Sequence, residues 1–133
     1  MAEKKQPVSE VKKKRGVKTT SLGKAYITAT FNNTLVSITN EGGDLVAWSS
    51  SGAKGFKGTR KSTPYAASLA VEDVCKKAII KGIKTVEVYI KGPGAGRDSS
   101  LRAIKNAGLS ISLIADITPI PHNGPRARKK RRI

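Results

Sequence analysis

Two short stretches of this 133-residue chain combine glycine with cations in a way that suits an anion. The first runs from Lys91 to Arg97 and reads Lys-Gly-Pro-Gly-Ala-Gly-Arg. Placed ahead of a helix, it offers backbone N–H groups at Gly94 and Gly96, flanked by Lys91, Arg97 and Arg102, and such a site holds a phosphate without reading a base. It lacks the Lys-Ser/Thr of a nucleotide P-loop and does not match the dinucleotide fingerprint. The structural alternative is a strand-to-helix turn that needs glycine for conformation alone.

The second stretch, Ser51 to Ser62, sets Lys54, Lys57, Arg60 and Lys61 around Phe56, with almost nothing to bury. It reads as a long, basic, flexible loop. An aromatic among cations suits stacking on an unpaired base with phosphate contacts beside it. Against this stands a solvated surface with Phe56 folded back over the domain edge. Asn32 and Asn33, in a short turn, complete the candidate RNA contacts of the body.

The termini carry the rest. Lys and Arg number 26 against 9 Asp and Glu, a net charge of +17 that calls for a polyanionic partner. Residues 1–24 hold +6 and residues 122–133 another +6, so the ends read as basic arms around a folded body. Lys12, Lys13, Lys14 and Arg15 mark the first arm. In the second, Pro119, Pro121 and Pro125 enforce an extended course, which lets Arg126, Arg128, Lys129, Lys130, Arg131 and Arg132 follow an RNA groove. His122 and Asn123 stand at its root, His122 as a stacking or hydrogen-bonding group, and Asn123 before Gly124 is a candidate for deamidation.

Other chemistries find little support. One cysteine, Cys75, and one histidine cannot supply a zinc site, and the single cysteine excludes an internal disulfide. No stretch suits a membrane helix and the N-terminus lacks an apolar signal segment, so the protein is expected to be cytoplasmic. No cofactor is expected.

The elements that must position these residues follow from periodicity. Alternation places Ala25, Ile27, Ala29 and Phe31 on the inner face of a first strand, Val36 and Ile38 on a second, and a third strand from Leu45 to about Ser50. Thr63 as N-cap and Pro64 at the first position start a helix whose apolar face is Ala67, Ala70, Val71, Val74 and Ala78, ending at Gly82. Val86, Val88 and Ile90 form the next strand. A second helix runs from about Asp98 to Ala107, and a last strand from Leu109 to Thr118 presents Ile111, Leu113, Ala115 and Ile117 on one face. The order βββαβαβ predicts a three-layer α/β domain, residues 25–118, on a mixed five-stranded sheet with a ribonuclease-H-like motif, between an arm at 1–24 and a tail at 119–133.

That architecture raises nuclease activity, which needs carboxylates converging on metal ions. The first strand holds none, and Glu41, Asp44, Glu72, Asp73, Glu87, Asp98 and Asp116 are scattered. A nucleoid-type DNA binder would need a recognition helix, and neither helix carries a cationic stripe. A free-standing RNA chaperone is the remaining competitor on composition.

Four blocks, Phe31 to Thr34, Gly55 to Ala67, Lys91 to Arg97 and Thr118 to Gly124, occur in the order seen in the bacterial form of small-subunit ribosomal protein eleven, a family that the chain resembles from about Lys24 to Ile133. Pro125 stands where many members have cysteine, and the arm up to Gly23 has no firm counterpart. The resemblance implies a non-enzymatic constituent of the small ribosomal subunit, bridging rRNA helices on its platform and helping to form the cleft for the Shine-Dalgarno region of mRNA. It further implies small-subunit proteins seven and eighteen and initiation factor three as partners.

Overall fold

The computed structural model describes residues 20–133. Its elements are β1 (Leu22–Ala29), β2 (Thr34–Asn40), β3 (Leu45–Ser50), a 3-10 turn (Gly58–Ser62), α1 (Pro64–Ile80), β4 (Thr85–Lys91), α2 (Gly96–Asn106) and β5 (Ser110–Asp116). The order is the expected βββαβαβ, and the strands form one mixed sheet in the order β3-β2-β1-β4-β5. β1 pairs antiparallel with β2 and parallel with β4, β2 antiparallel with β3, and β4 parallel with β5. Residues 119–133 form neither helix nor strand.

Of the three expected layers, the described residues build two. From β3 at one edge the chain crosses through α1 to β4 and then through α2 to β5 at the other, always moving the same way along the sheet. Two right-handed crossovers in one direction place both helices on one face. α1 packs on β2 and β3, α2 on β1 and β5, and the helices pack on each other. The strand alternation records this one-sidedness: Ala25, Ile27, Val36, Ile38, Val86 and Val88 are buried beneath the helices, while Tyr26, Ser37, Glu87 and Tyr89 on the other face are half-buried.

α1 starts where its sequence directs. The Thr63 hydroxyl accepts a hydrogen bond from the Ala66 N–H, Pro64 takes the first position, and Gly82 leaves the helix at φ +99°. Val71, Val74, Cys75 and Ala78 are fully buried against the sheet. Burial also pushes the Cys75 thiol up to about 12, with Glu72 adding to the effect, so it stays protonated and unreactive.

Three strand assignments change. β1 begins at Leu22, ahead of the expected boundary at 25, because the Ser21 carbonyl accepts from the Lys84 and Thr85 N–H groups and carries the pairing outward. It ends at Ala29, so Phe31 is not a core residue and is 77% exposed in the β1–β2 turn. In β5, Ile111 aligns with Val86 but Leu113 aligns with Glu87, leaving Ser112 as a bulge. One extra residue flips every side chain after it. Leu113 and Ala115 therefore lie on the face opposite Ile111, whose face Ile114 takes instead.

Candidate nucleic-acid interface

Strand direction gathers most of the candidate residues at one end of the sheet. β1, β3, β4 and β5 all run the same way, so the β1–β2 turn, the loop from Ser51 to Thr63, the loop from Gly92 to Ala95 and the root of the tail all lie at their carboxyl ends. Open α/β sheets characteristically place their sites there. Ser21, within the expected N-terminal arm, lies at the other end, its carbonyl accepting from the Lys84 and Thr85 N–H groups. Lys12, Lys13, Lys14 and Arg15 are outside the described residues.

The Ser51–Ser62 loop is not slack. Lys54 N–H donates to the Ser50 carbonyl, Gly55 N–H to Gly52, Phe56 N–H to Ser51 and Arg60 N–H to Lys57, so it is a chain of turns ending in the 3-10 segment. Gly55 and Gly58 supply the left-handed conformations that this course requires, φ +90° and +61°. Phe56 is half-buried, its ring meeting that of Tyr65 edge to face at 6.1 Å. Lys54, Gly55, Lys57 and Arg60 line a shallow depression with Phe56. Lys54 reaches Asp73 of α1 at 3.7 Å, and Lys77 holds the same carboxylate at 2.8 Å. The Lys77 hydrogen bond, with help from Lys54, keeps Asp73 below the usual carboxylate range. Lys57 and Arg60 are exposed and Lys61 is half-buried.

Beside this lies a second depression lined by Phe31, Asn32, Gly58, Thr59, Lys61 and Ser62. Asn32 is exposed, whereas Asn33 builds the turn: its side-chain oxygen accepts from the Thr34 N–H at 2.8 Å and its N–H donates to the Thr30 hydroxyl at 3.0 Å. Phe31 and Tyr65, 77% and 66% exposed, are the residues that the sequence reading missed. Their signal was position: Phe31 follows the last paired residue of β1, and Tyr65 sits in the first turn of α1, where a side chain faces the preceding loop.

The Lys91–Arg97 loop is sealed against the body. A Cβ on Gly92 or Gly94 would collide with the carbonyl oxygens of Ala29 and Thr30, and one on Gly96 with the Thr34 hydroxyl. Gly94 N–H donates to the Ala29 carbonyl at 2.8 Å and Gly92 N–H to the Thr118 hydroxyl at 3.1 Å, so neither group faces solvent unpaired. Arg97 is also engaged, its Nη1 donating to the Gly92 carbonyl at 2.6 Å and its Nη2 to Asp116 Oδ2 at 2.9 Å. Asp116 further accepts from the Thr118 hydroxyl and N–H, and these bonds, then Arg97, hold its carboxyl down at about 2. The result is a clasp joining the loop to the root of the tail. Lys91 stands exposed at the end of β4, and Arg102 is exposed on α2.

Beyond the clasp, His122, Asn123, Arg126, Arg128 and Lys129 to Arg132 are all exposed, and Asn123 adopts φ +56°, in the left-handed region that Asn tolerates. The carboxylates stay apart. Among the described residues no three His, Cys, Asp or Glu side chains come together as metal ligands would.

The described residues thus form a small α/β domain with a basic, aromatic loop end and no cluster of metal-ligating side chains. The family model of ribosomal protein S11 matches residues 23–132. The small ribosomal subunit protein uS11 of Christiangramia forsetii is 53% identical over 133 residues, the whole of both chains. That of Flavobacterium psychrophilum is 53% identical over 121 residues, covering 91% of this chain and 95% of the relative. The chain belongs to the ribosomal protein S11 family, in its bacterial form, and is a structural, non-enzymatic component of the ribosome.

Proposed function

We propose that the chain is a structural constituent of the small ribosomal subunit that grips rRNA with the loop end of its sheet and with its two basic arms, the sheet serving as a spacer of fixed shape. The observation that supports this most is the convergence of Phe31, Phe56 and Tyr65 with Lys57, Arg60 and Lys61 at the end from which the tail departs. Cations supply affinity by displacing counterions from phosphates, and exposed rings stack on unpaired bases. In this reading Asn32 and Arg102 add contacts at the periphery. Arg97, Gly94 and Gly96 act indirectly, by fixing the loop against which the tail is anchored.

The finer placement follows the family resemblance: the platform, the cleft for the Shine-Dalgarno region of mRNA, and contacts with small-subunit proteins seven and eighteen and with initiation factor three. The test is sedimentation of a lysate through magnesium-containing sucrose at low and moderately high salt, comparing the full chain with one lacking residues 122–133. The full chain should travel with the small subunit at near-stoichiometric level at both salts, and the truncated chain should be depleted. A full chain stripped by moderate salt would mark a loosely held RNA chaperone instead.

A further inference from the structure

The sheet face that carries neither helix is a feature that the RNA reading leaves unused. The strand registers draw one row of side chains straight across all five strands: Trp48, Ser37, Tyr26, Tyr89 and Ala115. Three of the chain's six aromatic residues stand in that row. Trp48 is 59% exposed on edge strand β3. Tyr26 and Tyr89 are stacked, centroids 5.4 Å apart and planes 19° from parallel, and the Tyr89 hydroxyl donates to Glu87 at 3.0 Å. Leu35, Leu45 and Leu113, each nearly half exposed, extend the same face. The β5 bulge is what delivers Leu113 to it.

Charge separates this face from the loop end. In a chain of net charge +17, it carries only Lys24 and Lys91 against Glu87, and Lys24 lies beside Glu87 in register. A polyanion has little to grip here. The two tyrosine rings also spend a face on each other, which leaves no pair of free platforms for bases. An apolar, ring-rich, charge-poor patch of this kind has the composition of a protein interface core.

We propose that this face docks an amphipathic helix of another small-subunit protein, its apolar stripe lying along the Trp48–Tyr26–Tyr89 row and its acidic flanks meeting Lys24 and Lys91. Five strands about 4.8 Å apart give a row roughly 19 Å long, which takes one or two helices about 10 Å across, as the opposite face takes α1 and α2. The N-terminal arm is the wrong occupant. Residues 1–19 contain no aromatic, leucine or isoleucine and hold seven Lys or Arg against two Glu, so they match the face neither in side-chain type nor in charge. A second copy is opposed by the repulsion of two chains of +17.

This inference rests on membership of the ribosomal family and not on the loop-end reading. Hydroxyl-radical footprinting read by mass spectrometry tests it on the full chain in three states: free, bound to protein-free small-subunit rRNA, and in complete small subunits. Trp48 is the only tryptophan, so its oxidation is read without ambiguity. Its oxidation should be the same free and on rRNA alone, and should fall several-fold in the complete subunit. Protection by rRNA alone would make the face an RNA surface, and full oxidation in the subunit would leave it uncovered; either overturns the proposal. Replacing Trp48 by photoreactive benzoylphenylalanine should give, in subunits, a crosslink to an acidic amphipathic peptide, and a crosslink to RNA or to a second copy would refute it. Recovery of the chain in the subunit fraction tests the functional reading separately, before any footprint is read.

Discussion

The two glycine-rich loops look alike in sequence and are opposites in structure. In the Lys91–Arg97 loop, glycine is present because another strand of backbone occupies the space where a Cβ would stand, and the one arginine is bound to Asp116. In the Ser51–Ser62 loop nothing lies within 4 Å of a Cβ placed on Gly55 or Gly58; glycine is there only for its positive φ, and Lys57 and Arg60 face solvent. The first loop is a rivet and the second a reaching surface. Similar composition thus serves anchoring in one place and exposure in another, and what separates them is whether a neighbouring turn lies against the glycines.

Substitutions should reveal the difference, beginning with Gly94→Ala. Its Cβ meets the backbone of both Ala29 and Thr30, which cannot swing away as a side chain can, so the variant should lose about 3 kcal/mol in a urea melt, at the upper end for overpacked sites. A loss under about 0.5 kcal/mol, the size of an ordinary surface change, would show the loop to be loose. Gly55→Ala should cost less, roughly 1–2 kcal/mol, because it meets only the left-handed backbone penalty. If Gly55→Ala proved the costlier of the two, the contrast drawn between the loops would be reversed. Changing Lys57 and Arg60 together to Ala should move stability by no more than about 0.5 kcal/mol, as exposed side chains do. The same pair should lower the salt slope of rRNA binding by about 2, since each cation removed leaves one phosphate with its counterions. An unchanged slope would mean that these cations touch no phosphate.

How much of this was legible in the sequence depends on the range of the forces involved. α1 was readable to its boundaries because Thr63, Pro64 and Gly82 act locally. The element order and the mixed sheet followed from alternation and connection length. The single-sided packing did not, since it depends on the direction in which both crossovers move, which is fixed only once β1 lies between β2 and β4. The faces of β5 were misread because a bulge at Ser112 leaves no mark in a run of alternating apolar residues. Phe31 was misplaced because alternation continues past the point where Thr30 and Asn33 close the turn. At the interface the cations and Phe56 were visible as a cluster. That Arg97 is bound to Asp116, 19 residues away, was not, because the pairing exists only after β4 and β5 align.

The smallest effect concerns that pairing and is the most diagnostic of what the sealed loop does. Asp116 holds Arg97 on one side and Thr118 on the other, so Asp116→Asn should leave the core intact, loosen the root of the tail and release a guanidinium. The carboxyl sits at about 2 in the folded protein against 3.8 for the ordinary group, so the ionised form favours folding. Its contribution is complete above about pH 4 and is lost as the pH falls through 4 towards 2, where the folded protein too becomes protonated. The stability difference between the parent and Asp116→Asn should therefore be constant from pH 7 to pH 5 and shrink below pH 4. Because the group is exposed, the difference should be small, and salt should reduce the part owed to Arg97 while leaving the Thr118 bonds. A gap that widened on acidification would mean that the clasp works through the neutral acid, and the Arg97 pairing would then have to be abandoned as the anchor of the tail.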